Sequence, residues 1–77
     1  MKIEILGVGC AKCHKLEELV REIVKNENIT ADICKVEDFK KIMNYGVMTT
    51  PALVIDGEVK AAGKMPSADQ IRGWLKN

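Results

Sequence analysis

Between residues 6 and 11 of this 77-residue chain the apolar pattern changes its period. Before the change, Ile3 and Ile5 share one side of a short extended run, residues 2–6, with Glu4 and Leu6 on the other. After it, Leu16, Leu19, Val20, Ile23 and Val24 recur at the three-and-four rhythm of a helical face, with Glu17, Glu18, Arg21, Glu22 and Lys25 opposite. A strand therefore gives way to an amphipathic helix over residues 11–25, and Gly7 and Gly9 supply the tight turn between them. The junction carries two cysteines two residues apart, in Cys10-Ala11-Lys12-Cys13. Such a pair closes a small disulfide ring or holds one soft metal ion, and beside a strand-helix-strand pattern the redox use is the expected one.

The helix makes the two thiols unlike. Stepping back three residues from Leu16 lands on Cys13, at the edge of the buried stripe. Cys10 stands at the helix start, where unpaired backbone N–H groups and the positive end of the dipole favour an anion. Cys10 is thus expected to be the exposed nucleophile of lowered pKa and Cys13 the sheltered resolving thiol. An ordinary thiol of pKa about 8.5 is only about 3% thiolate at pH 7, whereas one near 7 is about half ionised. Lys12 and His14 are expected as solvated residues of the first turn that add positive potential of the same sign.

The length permits one domain, residues 1–77, with no room for a second core. Lysine and glutamate are dispersed and net to a charge of +1, and three aromatics make no stacking platform, which argues against nucleic-acid binding. No apolar run approaches the roughly 20 residues of a membrane span, and the chain enters a strand without a signal peptide, so a cytoplasmic protein with no membrane partner is expected. An odd count of three cysteines fits a reducing cytosol with one functional pair. Cys34, the one left over, is expected as a small hydrophobe within a second strand. Asn28-Ile29-Thr30 matches a glycosylation acceptor by chance in a chain that is not exported, and Gly7 and Gly9 begin a dinucleotide fingerprint whose third glycine is replaced by Lys12.

Beyond the first helix, Asn26-Glu27-Asn28 ends it and residues 29–36 read as a second strand parallel to the first. Residues 38–45 form a shorter helix with Phe39, Ile42 and Met43 as its inward face and Gly46 as its cap. Pro51 precedes the apolar run 52–55, at the one place in a sheet where a missing N–H is tolerated. Asp56-Gly57 is a hairpin turn into residues 58–62. Ser67 and Gln70 make a capping-box pattern for a last helix with Ile71, Trp74 and Leu75 on one face. The order is strand, helix, strand, helix, strand, strand, helix.

This order, the Cys10-Ala11-Lys12-Cys13 motif after the first strand and Thr50-Pro51 before the third together resemble the thioredoxin fold in its minimal, glutaredoxin-like form, and the likeness is closest to the small redox proteins of prokaryotes. The resemblance covers essentially the whole chain. It implies an α/β domain, βαβαββα, with a four-stranded mixed sheet of order 2-1-3-4 and three helices, the first and third on one face and the second on the other. It implies a cis peptide bond before Pro51, packed against the cysteine pair, with the backbone of Thr50 open to an extended substrate. The buried acid that thioredoxins carry six residues before the first cysteine falls on Glu4, as an acceptor for the Cys13 proton. The chain departs from the pattern in Gly9, where thioredoxins have an aromatic, in Ala11-Lys12 between the cysteines, and in residues 62–66, where glutaredoxins have Gly-Gly-x-x-Asp.

The function implied is a thiol-disulfide oxidoreductase, an electron donor that reduces protein or small disulfides through a Cys10-Cys13 dithiol/disulfide cycle. Val8, Ala11, Lys12, Met48, Thr49, Thr50, Gly63 and Lys64 are the residues expected to meet substrate. A thioredoxin-reductase-type donor would restore the dithiol, and the protein would act as a monomer with neither cofactor nor metal. Two other readings stand beside it. One is a soft-metal carrier using the Cys10 and Cys13 thiolates, although such carriers usually end on a strand where this chain ends on a helix. The other is a regulatory thioredoxin-like domain in which the disulfide only staples the scaffold.

Overall fold

The computed structural model describes residues 1–8 and 11–76. In chain order the elements are β1 (Lys2–Leu6), α1 (Ala11–Asn26), β2 (Asp32–Val36), α2 (Phe39–Asn44), β3 (Ala52–Ile55), β4 (Glu58–Ala62) and α3 (Ala68–Leu75). The strands form one mixed sheet of order β2-β1-β3-β4, as the resemblance implied. β1 runs parallel to β2 and antiparallel to β3, and β3 is antiparallel to β4. No helix among the described residues is long and apolar enough to cross a membrane.

Alternation along the two central strands divides the interior in two. Ile3 and Ile5 of β1 and Leu53 and Ile55 of β3 face α1 and α3, meeting Leu16, Val20, Ile23, Ile71 and Leu75. Leu6 of β1 and Ala52 and Val54 of β3 face the other way, onto Ile42 of α2 and Val47. Both central strands are therefore covered on both sides, and all four residues of β3 are buried.

The turns carry the chemistry expected of them. Asp56 and Gly57 take φ of 49° and 83°, positive at both positions as the right-handed twist of a two-residue hairpin requires. Ser67 accepts from the Gln70 N–H at 3.2 Å while the Gln70 side chain accepts from the Ser67 N–H at 3.1 Å, completing the capping box of α3. Gly46, at φ 76°, closes α2 with its N–H on the Met43 carbonyl at 2.9 Å.

Three expectations are corrected. The second strand begins at Asp32, not at Ile29, because the end of α1 captures the intervening residues. Asn28 adopts φ 57°, and the N–H of Ile29 reaches the Val24 carbonyl at 3.0 Å while that of Asn28 reaches Lys25 at 3.3 Å, the paired bonds of a Schellman ending. Ile29 thereby packs against the main core from outside β2. Second, α2 buries Ile42 alone. Phe39 and Met43, read as inward, are 67% and 59% exposed, because a helix of six residues laid on one end of the sheet has depth for a single apolar side chain per turn. Third, Cys34 is exposed, because β2 is an edge strand of the sheet and not one of its two central strands. Truncation of Ile42 to Ala is expected to cost about 2–5 kcal/mol, while Phe39→Ser changes stability by no more than about 0.5 kcal/mol; urea midpoints of the two variants decide whether α2 is anchored by one residue or by three.

Candidate functional site

The antiparallel pairing of β1 with β3 sets Leu6 opposite Ala52, so the residue that leaves β1 and the residue that enters β3 lie at the same end of the sheet. Gly7 continues the ladder with its N–H on the Val36 carbonyl at 3.0 Å. Its Cα has a specific neighbour. A Cβ at this position would run into the Cys13 sulfur, 3.2 Å from the Cys13 Cβ and 3.8 Å from the Thr50 Cβ. Absence of a side chain at Gly7 is what lets the Cys13 sulfur seat directly against the end of β1. Cys13 is fully buried, on the first turn of α1 one turn before Leu16, as the helical stripe indicated. Cys10, with Gly9, lies outside the described residues.

Pro51 closes this arrangement from the β3 side. The Thr50–Pro51 peptide bond is cis, in agreement with the resemblance. Pro51 is buried, and its carbonyl accepts the Gly63 N–H at 2.9 Å. Gly63 takes φ 74°, and a Cβ there would come to 3.0 Å from the Thr49 Cβ and closer still to its hydroxyl. Thr49, Thr50 and Gly63 thus gather around Pro51, with Thr50 also beside Gly7 and Cys13. Ala11 and Lys12 are exposed on the first turn of α1. Lys64 is exposed but borders a separate hollow against Met65, Pro66 and Trp74.

On the α2 side an apolar groove of about 240 Å³ adjoins this cluster. Its walls are Val8, two residues before Cys10; Phe39 and Met43 of α2; and Met48 and Thr50 of the segment leading to Pro51. Met48 is 96% exposed and Val8 56%, so the groove is an apolar surface turned to solvent. Val8, Met48 and Thr50 were anticipated from their distance to Cys10 and Pro51. Phe39 and Met43 were not, because their spacing matches a buried helical face. The signal that could have found them is the brevity of α2, which cannot bury three large side chains on six residues.

Glu4 is 91% buried in the centre of β1, by the 9% exposure that remains. It sits beside Cys34 on β2 and Val54 on β3, and shares the α2 side of the sheet with Leu6. Gly7, against which Cys13 packs, alternates with Ile5 toward the α1 side. The Glu4 carboxylate accepts a 2.5 Å hydrogen bond from the Tyr45 hydroxyl at the end of α2. That bond, with burial and the nearby negative charge, raises the Tyr45 pKa above the ordinary phenol value. Tyr45 carried no mark in the sequence beyond its place beside a capping glycine. Among the described residues, no three or more His, Cys, Asp or Glu side chains gather where a metal ion could be held.

A family model described as a thioredoxin domain matches residues 1–76. A curated relative named thioredoxin, from Methanothermobacter thermautotrophicus, is 40% identical over 75 residues, covering 97% of each chain. A second protein of that name, from Methanocaldococcus jannaschii, is 37% identical over 75 residues, covering 97% of this chain and 86% of its own.

Gly7→Ala is expected to destabilise the protein by about 1–3 kcal/mol, since the new methyl and the Cys13 sulfur compete for one volume; thermal unfolding measures it. Tyr45 is the chain's one tyrosine, so ultraviolet titration reads it alone. Its midpoint should lie above about 10 and return toward that value in Glu4→Ala. Because the folded pKa is the higher one, stability from this group is whole below about 10 and is lost as pH rises through the folded midpoint.

Proposed function

Since the chain belongs to the thioredoxin family, we propose that it is a dithiol-disulfide oxidoreductase acting through Cys10 and Cys13. The observation that carries the reading is the burial of the Cys13 sulfur against Gly7, beside Thr50 and the cis-Pro51 bond. A sheltered thiol three residues after a cysteine that precedes the helix is what a resolving group requires.

The Cys10 thiolate attacks one sulfur of a substrate disulfide, forming a mixed disulfide and expelling the other sulfur as thiolate, which takes up a proton. Cys13 then loses its proton and attacks the Cys10 sulfur. The second substrate thiolate leaves, a Cys10–Cys13 disulfide forms, and two electrons have passed to the substrate. An external dithiol donor of thioredoxin-reductase type returns them by the reverse exchange. Cys10 precedes Ala11, where a 16-residue helix begins, and unpaired amides at such a terminus favour its thiolate.

Thr49, Thr50 and Gly63, gathered around Pro51, support docking of an extended peptide at its backbone. The groove of Val8, Met48, Phe39 and Met43 supports recognition of an apolar side chain next to the substrate cysteine, because two residues of chain span no more than about 7 Å. Ala11 and Lys12 complete the rim, Lys12 adding positive charge beside the leaving thiolate, whereas Lys64 faces the separate hollow beside Trp74. In this reading the protein works as a monomer in the cytoplasm.

Cys10→Ser is expected to abolish reduction of a disulfide-bridged peptide. Cys13→Ser should retain the first step and accumulate a mixed disulfide, visible as a mass increase equal to the substrate thiol. Turnover by Cys10→Ser would refute the assignment.

A further inference from the structure

α2 is held to the sheet at few points. Ile42 is its one buried side chain, and Val47 is the next residue to enter the core beneath it. Between them stands Tyr45, the C-cap of α2, whose own N–H bonds the Ile42 carbonyl at 3.2 Å. Among the described residues, the Tyr45 hydroxyl on Glu4 is the side-chain hydrogen bond that joins α2 to the sheet. Everything past that bond, from Gly46 through Met48 to Thr50, leads directly into Pro51. Everything before it carries Phe39 and Met43. Both walls of the apolar groove away from Val8 are therefore tied to the sheet by the packing of Ile42 and Val47 and by this one side-chain hydrogen bond.

A buried carboxylate on a central strand is costly, and it is tolerated only where a donor meets it. Here the donor comes from the element that shapes the groove, on the α2 side of β1. We propose that Glu4 and Tyr45 form a latch that sets the spacing of α2 and residues 46–50 from the sheet, making both of them positioning residues for the groove that receives the substrate's apolar side chain. The latch gives Glu4 a task distinct from accepting the Cys13 proton. It rests on the oxidoreductase reading for its consequence in substrate binding, though not for its consequence in structure.

The two roles separate under substitution. Tyr45→Phe removes the donor and keeps the ring in its packing; Glu4→Gln keeps an acceptor for the phenol and removes the charge that could take a proton. The full chain is assayed with a disulfide peptide bearing leucine and phenylalanine beside its cysteines, and with 2-hydroxyethyl disulfide, which is too small to fill the groove. For Tyr45→Phe, loss of about one hydrogen bond predicts a KM for the peptide raised about five-fold at unchanged kcat. The rate on the small disulfide and the pH profile of Cys10 alkylation should not move. Amide exchange of Ile42, Tyr45 and Gly46, whose N–H groups bond the Asp38, Ile42 and Met43 carbonyls, should quicken about five-fold, a readout that needs no activity. Glu4→Gln, which keeps an acceptor for the phenol, should leave the pH profile of Cys10 alkylation and the amide exchange of α2 within about two-fold of the unsubstituted protein.

An unchanged peptide KM or unchanged exchange in Tyr45→Phe overturns the latch. So does a Glu4→Gln variant that stalls on both substrates or shifts the alkylation profile, which would assign Glu4 to the thiol chemistry. If the unsubstituted protein reduces neither disulfide while exchange responds as described, the oxidoreductase reading falls and the latch stands.

Discussion

The antiparallel ladder between β1 and β3 is the constraint from which the site follows. Its register sets Ile3 against Ile55 at one end and Leu6 against Ala52 at the other. Whatever leaves β1 therefore meets whatever enters β3, and here these are Gly7, with the Cys13 sulfur against it, and the Thr50–Pro51 bond. The parallel ladder to β2 ends level with it, at Leu6 and Val36, and the Gly7 N–H adds one more bond to the Val36 carbonyl. The approach to α2 thus starts from the same end of the sheet. A slip of one residue along β1 would turn Ile3 and Ile5 away from α1 and bring a different residue under the Cys13 sulfur. Burial of both central strands on both faces is what forbids that slip.

The two faces are not covered alike. α1 and α3 close one side with six buried side chains between them, Cys13 included, and a further tie at the far end, where the Lys76 ammonium stands 2.6 Å from the Glu27 carboxylate and holds its pKa below the ordinary value. The other side is closed by six residues of α2 and by Val47. The apolar surface left on this thinner side, from Val8, Phe39, Met43 and Met48, is adjacent to the site. Thin cover and exposed apolar groups have one physical origin: a helix too short to bury its own stripe presents the remainder to a partner.

Glu4 shows how a residue can be located correctly in sequence and still not be understood from it. Counting six residues back from Cys10 finds a carboxylate on a central strand, and burial follows from that position. Which donor satisfies it depends on where the chain 41 residues later comes to rest. The partner is the tyrosine that caps the C-terminus of α2, a contact that no local pattern encodes.

Local rules determined a great deal. Change of period from two to 3.6 marked β1 and α1, Asp56-Gly57 marked a hairpin that needs positive φ twice, and Ser67 with Gln70 marked the start of α3; each depends only on neighbours within a few residues, so the chain states it directly. The helical stripe likewise identified Cys13 as the sheltered cysteine, because burial on a helix is periodic. Tertiary structure alone decided that Gly7 is bare because a sulfur occupies the space of its side chain, that Phe39 and Met43 face solvent, that Cys34 lies exposed on an edge strand, and that Tyr45 reaches Glu4. Those outcomes depend on how much of the sheet each distant element covers, and coverage is a property of packed surfaces, to which sequence spacing is blind.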